Sequence, residues 1–290
     1  MIRGEIPMKN AAYRIVYVGN NMIFSFDINK FASVNRLGEV EKIYDLGDQW
    51  AIHHDYAYDS KNNCLDILVT KNNTKTVEDY IIKLDLKSGK VTQPMDFKDY
   101  MADVEKKADE KTTESVRSST DGLDWIHFNT INVVNGGDLI LSSRELSTII
   151  RVNNVYTKPV LEHFIADDSV WNSTKYEKLN LKKIASFTSN AGQHSVTYIK
   201  APSLKDGQYY LIMFNNNYKG AKSRLDFDWS YYKGAGTIKE GDKFMFYKYR
   251  VDEKAGTYKL VQSIDLLYSP IVSSVQEYCG NYVVNSGYLN

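Results

Sequence analysis

The sequence predicts an all-β chain organised as a β-propeller, on three observations. Period-two alternation rich in Tyr, Ile, Val and Phe recurs along the whole length, and helical periodicity is rare. One stretch also packs four strand-like runs into about 40 residues, the size of a propeller blade.

That unit is clearest after Trp125. Ile126–Val134 reads as a strand, Asn135-Gly136-Gly137-Asp138 as a turn, and Leu139–Ser143 as a second strand. Thr148–Val152 makes a third, and Pro159–Ile165 a fourth after a turn at Asn153-Asn154. Asn, Asp and Gly dominate these turns because they tolerate the left-handed backbone that tight reversals need. The same plan fits His54–Asp59, Leu65–Thr70 and Tyr80–Leu86, with Lys87-Ser88-Gly89-Lys90 as a hairpin turn. It fits again at His194–Ile199, Tyr209–Asn215, Lys243–Val251 and Tyr258–Ile264, and Ile271–Tyr278 with Tyr282–Asn285 begins another. Near the N-terminus, Ile23–Asp27 and Ala32–Asn35 read as outer strands of a blade whose inner strands are absent or degraded. About four blades are represented, in one propeller domain spanning 1–290. Two polar stretches, 101–122 and 217–242, read as loop insertions. The first is a solvated loop or a short exposed helix, and the second carries Phe227, Trp229, Tyr231 and Tyr232.

Bulk properties exclude several classes. The chain has 290 residues with 36 basic and 36 acidic side chains, a balance that gives no support for a nucleic-acid partner. With 43% apolar residues it can bury a sizeable core. No apolar run approaches the roughly 18 residues that span a bilayer. Met1 to Asn10 lacks the apolar centre of an export signal, so the sequence leaves localisation undetermined. Cys64 and Cys279 are expected to be two free, buried thiols.

The chain holds five histidines, and four fall in short polar segments: His53-His54-Asp55, Asp124-Trp125-Ile126-His127-Phe128-Asn129 and Gly192-Gln193-His194-Ser195. Each segment opens a strand-like run, and His54, His127 and His194 recur at near-equal intervals. Arg144, in Ser142-Ser143-Arg144, ends the strand beside His127. A lone histidine at a strand opening is usually structural. Three at repeated openings, with an arginine beside one, point instead to a single shared site. His163 belongs to no such segment and reads as structural. Trp125 reads as core and Asp124 as a turn or strand-opening residue. Asn217 is assigned to a turn, and Asn215 and Asn216 are left open between turn and site. Ser273 and Ser274 open the last unit at a pocket-facing position.

These segments, with Ser142-Ser143-Arg144-Glu145, Phe214-Asn215-Asn216-Asn217 and Tyr268-Ser269 through Ser273-Ser274-Val275-Gln276, run in an order that resembles the bacterial arylsulfate sulfotransferase family, which works without the nucleotide donor PAPS. The resemblance covers nearly the whole chain. It departs from the family at Ala191, where a glycine is expected, and at Leu146, where Thr is more frequent. It implies a six-bladed propeller, of which this chain would hold roughly four blades. It implies transfer of a sulfuryl group from a phenolic sulfate ester to a phenol, through a sulfohistidine and with ping-pong kinetics. His194 would be the nucleophile. His54, His127, Asn129 and Arg144 would line the sulfuryl pocket; Ser273, by its pocket-facing position, is expected as a further substrate-binding residue. His54 aligns better than His53, because its distance to the following turn matches that after His194. Relatives of this family act outside the cytoplasm.

The chemistry suits these residue types. Displacement at a tetrahedral sulfur loads charge onto equatorial oxygens, which an arginine fork and imidazole or carboxamide N–H groups can stabilise. A nucleophilic imidazole must be neutral, and a nearby Arg144 would push its pKa down. A second histidine can serve as acid and base; His54 and His127 both qualify. There is no G-x-x-x-x-G-K-[ST], so no nucleotide cofactor is expected. No metal is expected either, because acidic and cysteine ligands do not recur near the histidines in sequence and Arg144 would repel a cation. A propeller that binds a ligand or protein without catalysis, and a hydrolase sharing the site, are the alternative readings. An open ring would leave strand edges for a homodimer or another partner to cover.

Overall fold

Why alternation becomes a propeller is clearest in the middle strands, whose successive side chains enter different cores. The computed structural model describes residues 8, 12–108, 122–217, 226–229, 244–267, 269 and 272–287. Among them, strands β1 (Ile15–Val18), β2 (Asn21–Asp27), β3 (Lys30–Val34) and β4 (Val40–Asp45) form the first antiparallel meander. The second is β5 (Trp50–Asp59), β6 (Cys64–Lys71), β7 (Tyr80–Asp85) and β8 (Val91–Asp96). The third is β9 (Phe128–Val133), β10 (Leu139–Ser143), β11 (Thr148–Asn153) and β12 (Val160–Ile165). After the two-residue β13 (Lys182–Lys183), the fourth comprises β14 (His194–Ile199), β15 (Gln208–Asn215), β16 (Phe244–Asp252) and β17 (Thr257–Leu266), with β13 parallel to β17. A hairpin of β18 (Ser274–Tyr278) and β19 (Asn281–Asn285) follows.

Four apolar layers fill the spaces between successive sheets. Ile67 and Val69 of β6 face the first sheet, packing with Phe31 and Tyr44, while Leu68 between them faces the third, packing with Phe97 and Trp125. In β10, Leu139 and Leu141 take that second layer and Ile140 takes the next. In β15, Leu211 and Met213 face the third sheet while Ile212 and Phe214 meet Val275 of the last. A strand whose side chains alternate between two cores is apolar on both faces, so it reads as a continuous run. Each such side chain contributes roughly 1.5–3 kcal/mol. Outer strands such as β4 are largely exposed. The fold is a β-propeller of consecutive four-stranded meanders.

The first sheet corrects the expectation that its inner strands are absent. β1 is short and mostly exposed, yet it pairs in register with β2 from Ile15↔Phe24 to Val18↔Asn21. Within 101–122, the structure places Met101–Glu105 in helix α1 (Lys98–Glu105), with Met101 and Val104 buried, so this helix is not simply exposed. Residues 109–121 of that stretch, and Tyr231 and Tyr232 of 217–242, lie outside the described residues. Phe227 and Trp229 pack on the core between the second and third sheets. A second short helix, α2 (Asp168–Trp171), is capped by the Asp167 side chain. No described helix is long and apolar enough to cross a membrane. Cys64 is a buried free thiol as expected, but Cys279 is exposed.

His163 locks the third sheet to the fourth: from β12 its Nε2 lies 3.0 Å from the Tyr209 hydroxyl of β15. Burial, aided by Arg151, lowers its pKa from 6.5 to about 3. The unfolded chain therefore binds more protons between these values, and stability present above pH 6.5 is lost as pH falls toward 3. His163→Gln should flatten the fall in urea-unfolding free energy on acidification by up to ~1.4 kcal/mol per pH unit. An unchanged slope would mean that His163 titrates normally in the folded chain.

Candidate active site

The innermost strands β1, β5, β9, β14 and β18 neighbour one another in chain order. A cavity of about 910 Å³ lies along their openings, walled by Arg14, His54, Asn129, His194 and Ser273 among others. Four of these openings carry a non-glycine residue in the left-handed region: His54 (φ 51°), His127 (φ 48°), Ser195 (φ 55°) and Val272 (φ 51°). Such residues cost of order 1 kcal/mol or more each, and surrounding contacts must hold them there. Register breaks between Ile52 and Tyr56 and between His194 and Thr197 accompany two of them. Bulges of this kind re-aim side chains, here at the cavity wall.

The segment before His194 is fixed by buried polar bonds. The Gln193 carboxamide donates to Ser142 Oγ and Ser143 O, both at 3.0 Å, and accepts from Asn190 Nδ2 at 2.8 Å. Its backbone carbonyl accepts from Asn129 Nδ2 at 2.8 Å. The Ala191 N–H donates to Asn215 Oδ1 and the Gly192 N–H to Ser147 Oγ. His194 Nδ1 then lies 2.8 Å from Asn216 Oδ1 and 3.1 Å from Gly192 O. Asn216 Nδ2 donates to Ser269 O at 2.8 Å, which orients its oxygen toward the histidine. Both neighbours of Nδ1 are acceptors, so Nδ1 carries the proton and Nε2 presents a lone pair. Burial, and then the charge of Arg144, lower the His194 pKa to about 3. The ring is neutral at physiological pH.

His127 is held in the opposite state. Its Nδ1 lies 2.5 Å from Asp124 Oδ2 and 2.8 Å from Glu78 Oε2. Burial alone would lower its pKa, but these two carboxylates override it and raise it to about 10. Burial pushes Asp124 up and acts the same way on Glu78, but the His127 cation holds Glu78 well below the usual carboxylate range, so Glu78 is the firmer anion. His54 packs its ring on His127 with centroids 4.7 Å apart, and its Nδ1 lies 3.1 Å from His53 Nδ1. Burial, reinforced by the His127 charge against the pull of Glu78, sets its pKa well below 6.5. Of His54, His127 and His194, one is thus cationic and two are neutral.

Of the residues expected in the site, His54, Asn129, His194 and Ser273 form cavity wall, while His127 and Arg144 are not part of it. The Arg144 backbone N–H donates to His127 O, and its guanidinium meets Glu145 Oε1 at 2.6 Å and Asp124 Oδ2 at 3.7 Å. Asn129 spends an amide donor on Gln193, so it positions the His194 segment. Ser273 Oγ donates to Ser269 Oγ at 2.6 Å.

Three readings change. Asp124 is a partner of His127, not only a turn residue, and its i,i+3 spacing was the available signal. Asn216 belongs to the site. Acidic groups absent from the histidine neighbourhood in sequence are present in space, because the β6–β7 connection delivers Glu78. Ligand atoms of Glu78, Asp124 and His127 lie within 4.8 Å of one another, as do those of His53, His54 and Glu78. The His127 cation and Arg144 already supply positive charge among these carboxylates. Arg14 was missed for a simple reason: it precedes β1, a strand the alternation did not reveal. Its Nε lies 3.1 Å from Asp55 Oδ1 and its Nη1 donates to Tyr56 O at 3.1 Å, which fixes a second guanidinium on the wall.

Fold and site together define a β-propeller with histidines of split charge and two arginines gathered where its inner strands open. The chain belongs to the arylsulfotransferase (ASST) family, whose model matches residues 1–290. No curated protein matches. Solved structures similar to it include Kuenenia stuttgartiensis hydrazine synthase, at 12% identity and TM-score 0.43, with 95% of this chain and 53% of that one covered. The β-propeller domain of Myceliophteria thermophila Cps50 (Swd1) gives 11% and 0.38, with 89% and 60% covered. That of Vanderwaltozyma polyspora Nup133 gives 10% and 0.40, with 93% and 57% covered. The chain spans little more than half the length of these structures, and identities this low transfer no function.

Nitrogen-15 NMR should find His127 doubly protonated at about pH 8, with His194 neutral and protonated at Nδ1. Glu78→Gln removes a carboxylate and should lower the His127 pKa. A neutral His127 at that pH in the unaltered protein would contradict the charge assignment.

Proposed function

We propose that this chain transfers a sulfuryl group from a phenolic sulfate ester to a phenol through a sulfohistidine on His194. The observation that carries this reading is the fixed, neutral His194 with its Nε2 lone pair, set within electrostatic reach of Arg144 and His127. Membership of the ASST family supports the same reaction class.

In the first half, Nε2 attacks sulfur, the sulfur–aryloxide bond breaks, and the sulfuryl group remains on His194. Negative charge on the sulfuryl oxygens is stabilised at the wall by His54 and Asn129 and at longer range by the Arg144 charge behind it, and Ser273 borders the acceptor space. The leaving phenolate takes a proton that His127 supplies from behind the wall, where its ring packs on His54; its Nδ1 is committed to carboxylates, so the Nε2 proton is the one transferred. The match in proton affinity favours this choice: a phenol titrates near 10 and His127 at about 10. In the second half, neutral His127 takes the proton of the incoming phenol, the phenoxide attacks sulfur, and His194 is released neutral. Every proton returns to its starting group. The cycle needs no nucleotide cofactor and no metal.

With 4-nitrophenyl sulfate as donor, 4-nitrophenol release should depend on added phenol and follow ping-pong kinetics. His194→Ala should reduce the rate by about 10³-fold or more, and donor alone should leave a sulfuryl adduct on His194 detectable by mass spectrometry. An adduct elsewhere, with activity surviving His194→Ala, would sink the assignment. Release that proceeds equally without phenol would mark a hydrolase, and none at all from a folded chain would mark a binding propeller.

The pH profile is a separate test. kcat/KM should be flat across neutral pH, fall as pH drops toward about 3 where His194 gains a proton, and fall again above about 10 where His127 loses one. A sharp acidic optimum would contradict both roles.

A further inference from the structure

A second cluster of chemistry-bearing groups lies beyond the cavity, at the hairpin joining β5 to β6. Asp59 ends β5 directly opposite Cys64, which begins β6, and Asp66 is two residues further along β6. Residues two apart on a strand share a face. Asp59, Cys64 and Asp66 are all buried. One carboxylate oxygen of each aspartate and the Cys64 Sγ lie within 4.8 Å of one another.

The third sheet closes this group with Tyr156, from the turn between β11 and β12. Its hydroxyl is 2.7 Å from Asp66 Oδ2, 2.9 Å from Asp59 Oδ2 and 3.2 Å from Cys64 Sγ. A phenol has a single proton, which cannot satisfy two carboxylates. Asp59 has other donors: the Lys61 and Asn62 backbone N–H groups and Asn62 Nδ2. Asp66 does not. It is fully buried, and its Oδ1 has no hydrogen-bond partner. A carboxylate in that position costs several kcal/mol unless something positive meets it. Lys83 is the nearby cation, with Nζ 3.9 Å from the Tyr156 ring centroid. Burial disfavours the charged form of Asp66 and pushes its carboxyl up to about 7, so its oxygen calls for either a proton or a cation.

We propose that Asp59, Cys64 and Asp66 bind a divalent metal ion of the zinc type, with the Tyr156 hydroxyl as neighbour or fourth donor. Two oxygens and one sulfur suit a borderline-soft ion, where an all-oxygen set would suit magnesium or calcium. Binding is a ligand exchange: the thiol proton leaves to solvent and its sulfur pair forms the metal–sulfur bond. The ion ties the second sheet to the third through Tyr156 and acts on stability, at a site separate from the histidine cluster.

The test uses the full chain, stripped with chelator and dialysed. Added Zn²⁺ should be retained at one ion per chain after desalting and should raise the thermal midpoint. Co²⁺ in place of Zn²⁺ should give a sulfur-to-cobalt charge-transfer band in the near ultraviolet. That band should persist in Cys279→Ser and His127→Ala, vanish in Cys64→Ser, and need about tenfold more metal in Asp66→Asn. Absence of the band from the unaltered chain overturns the proposal whether or not the variants fold. So does a band that survives Cys64→Ser, or zinc that is lost only in His127→Ala.

Discussion

The cavity depends on one buried carboxamide, that of Gln193. It sits where the third and fourth sheets meet, and its two donors and its acceptor are all used on groups from or next to those sheets. A buried amide left without partners costs about 1–3 kcal/mol, so the segment has few ways to sit other than the one that satisfies it. His194 is the next residue and inherits that rigidity. Asn129 and Ser147 brace the same segment from the third sheet, and Asn215 and Asn216 brace it from the fourth. A polar segment at the mouth of an apolar sandwich is thereby held as firmly as a strand.

Onto that frame the fold sets three imidazoles in different states. Burial pushes each of them toward neutrality. Only His127 escapes, because Asp124 and Glu78 stand at one nitrogen and together outweigh desolvation. Its positive charge then helps to keep His54 and His194 neutral, and Arg144 adds to the effect on His194. The carboxylates therefore control the two neutral rings as well, through the charge they stabilise on the third. Opposite-sign shifts on chemically identical groups in one small volume are a mark of functional sites.

Much of this was legible in the sequence, and the exceptions share a cause. Strands packed between two sheets, such as β6, β10 and β15, advertise themselves through apolar content. β1, β4 and β8 do not: they are short or face solvent, and β4 carries charge on half its positions. Missing β1 hid Arg14 with it. At the site, His54, His127, His194 and Arg144 stood out because histidine is rare here and the intervals repeat. Glu78 left no such trace, since it matters only through a contact made across the chain; Asn216 and Ser269 lay in segments that carried the resemblance, but the bond between them shows only in the fold. The Asp59–Cys64–Asp66 group was equally silent, because a shared strand face becomes visible only once the hairpin register is known.

The bond from Asn216 to Ser269 has a wider consequence. Ser269 leads into the last described sheet, which among the described residues has two strands and one fully buried apolar anchor, Val275. Sheets with so little core open more readily than their neighbours. When that hairpin lifts, Asn216 loses the acceptor that orients it, its amide can turn over, and the proton on His194 is no longer confined to Nδ1. The readiness of the ring would then follow the docking equilibrium of the smallest sheet.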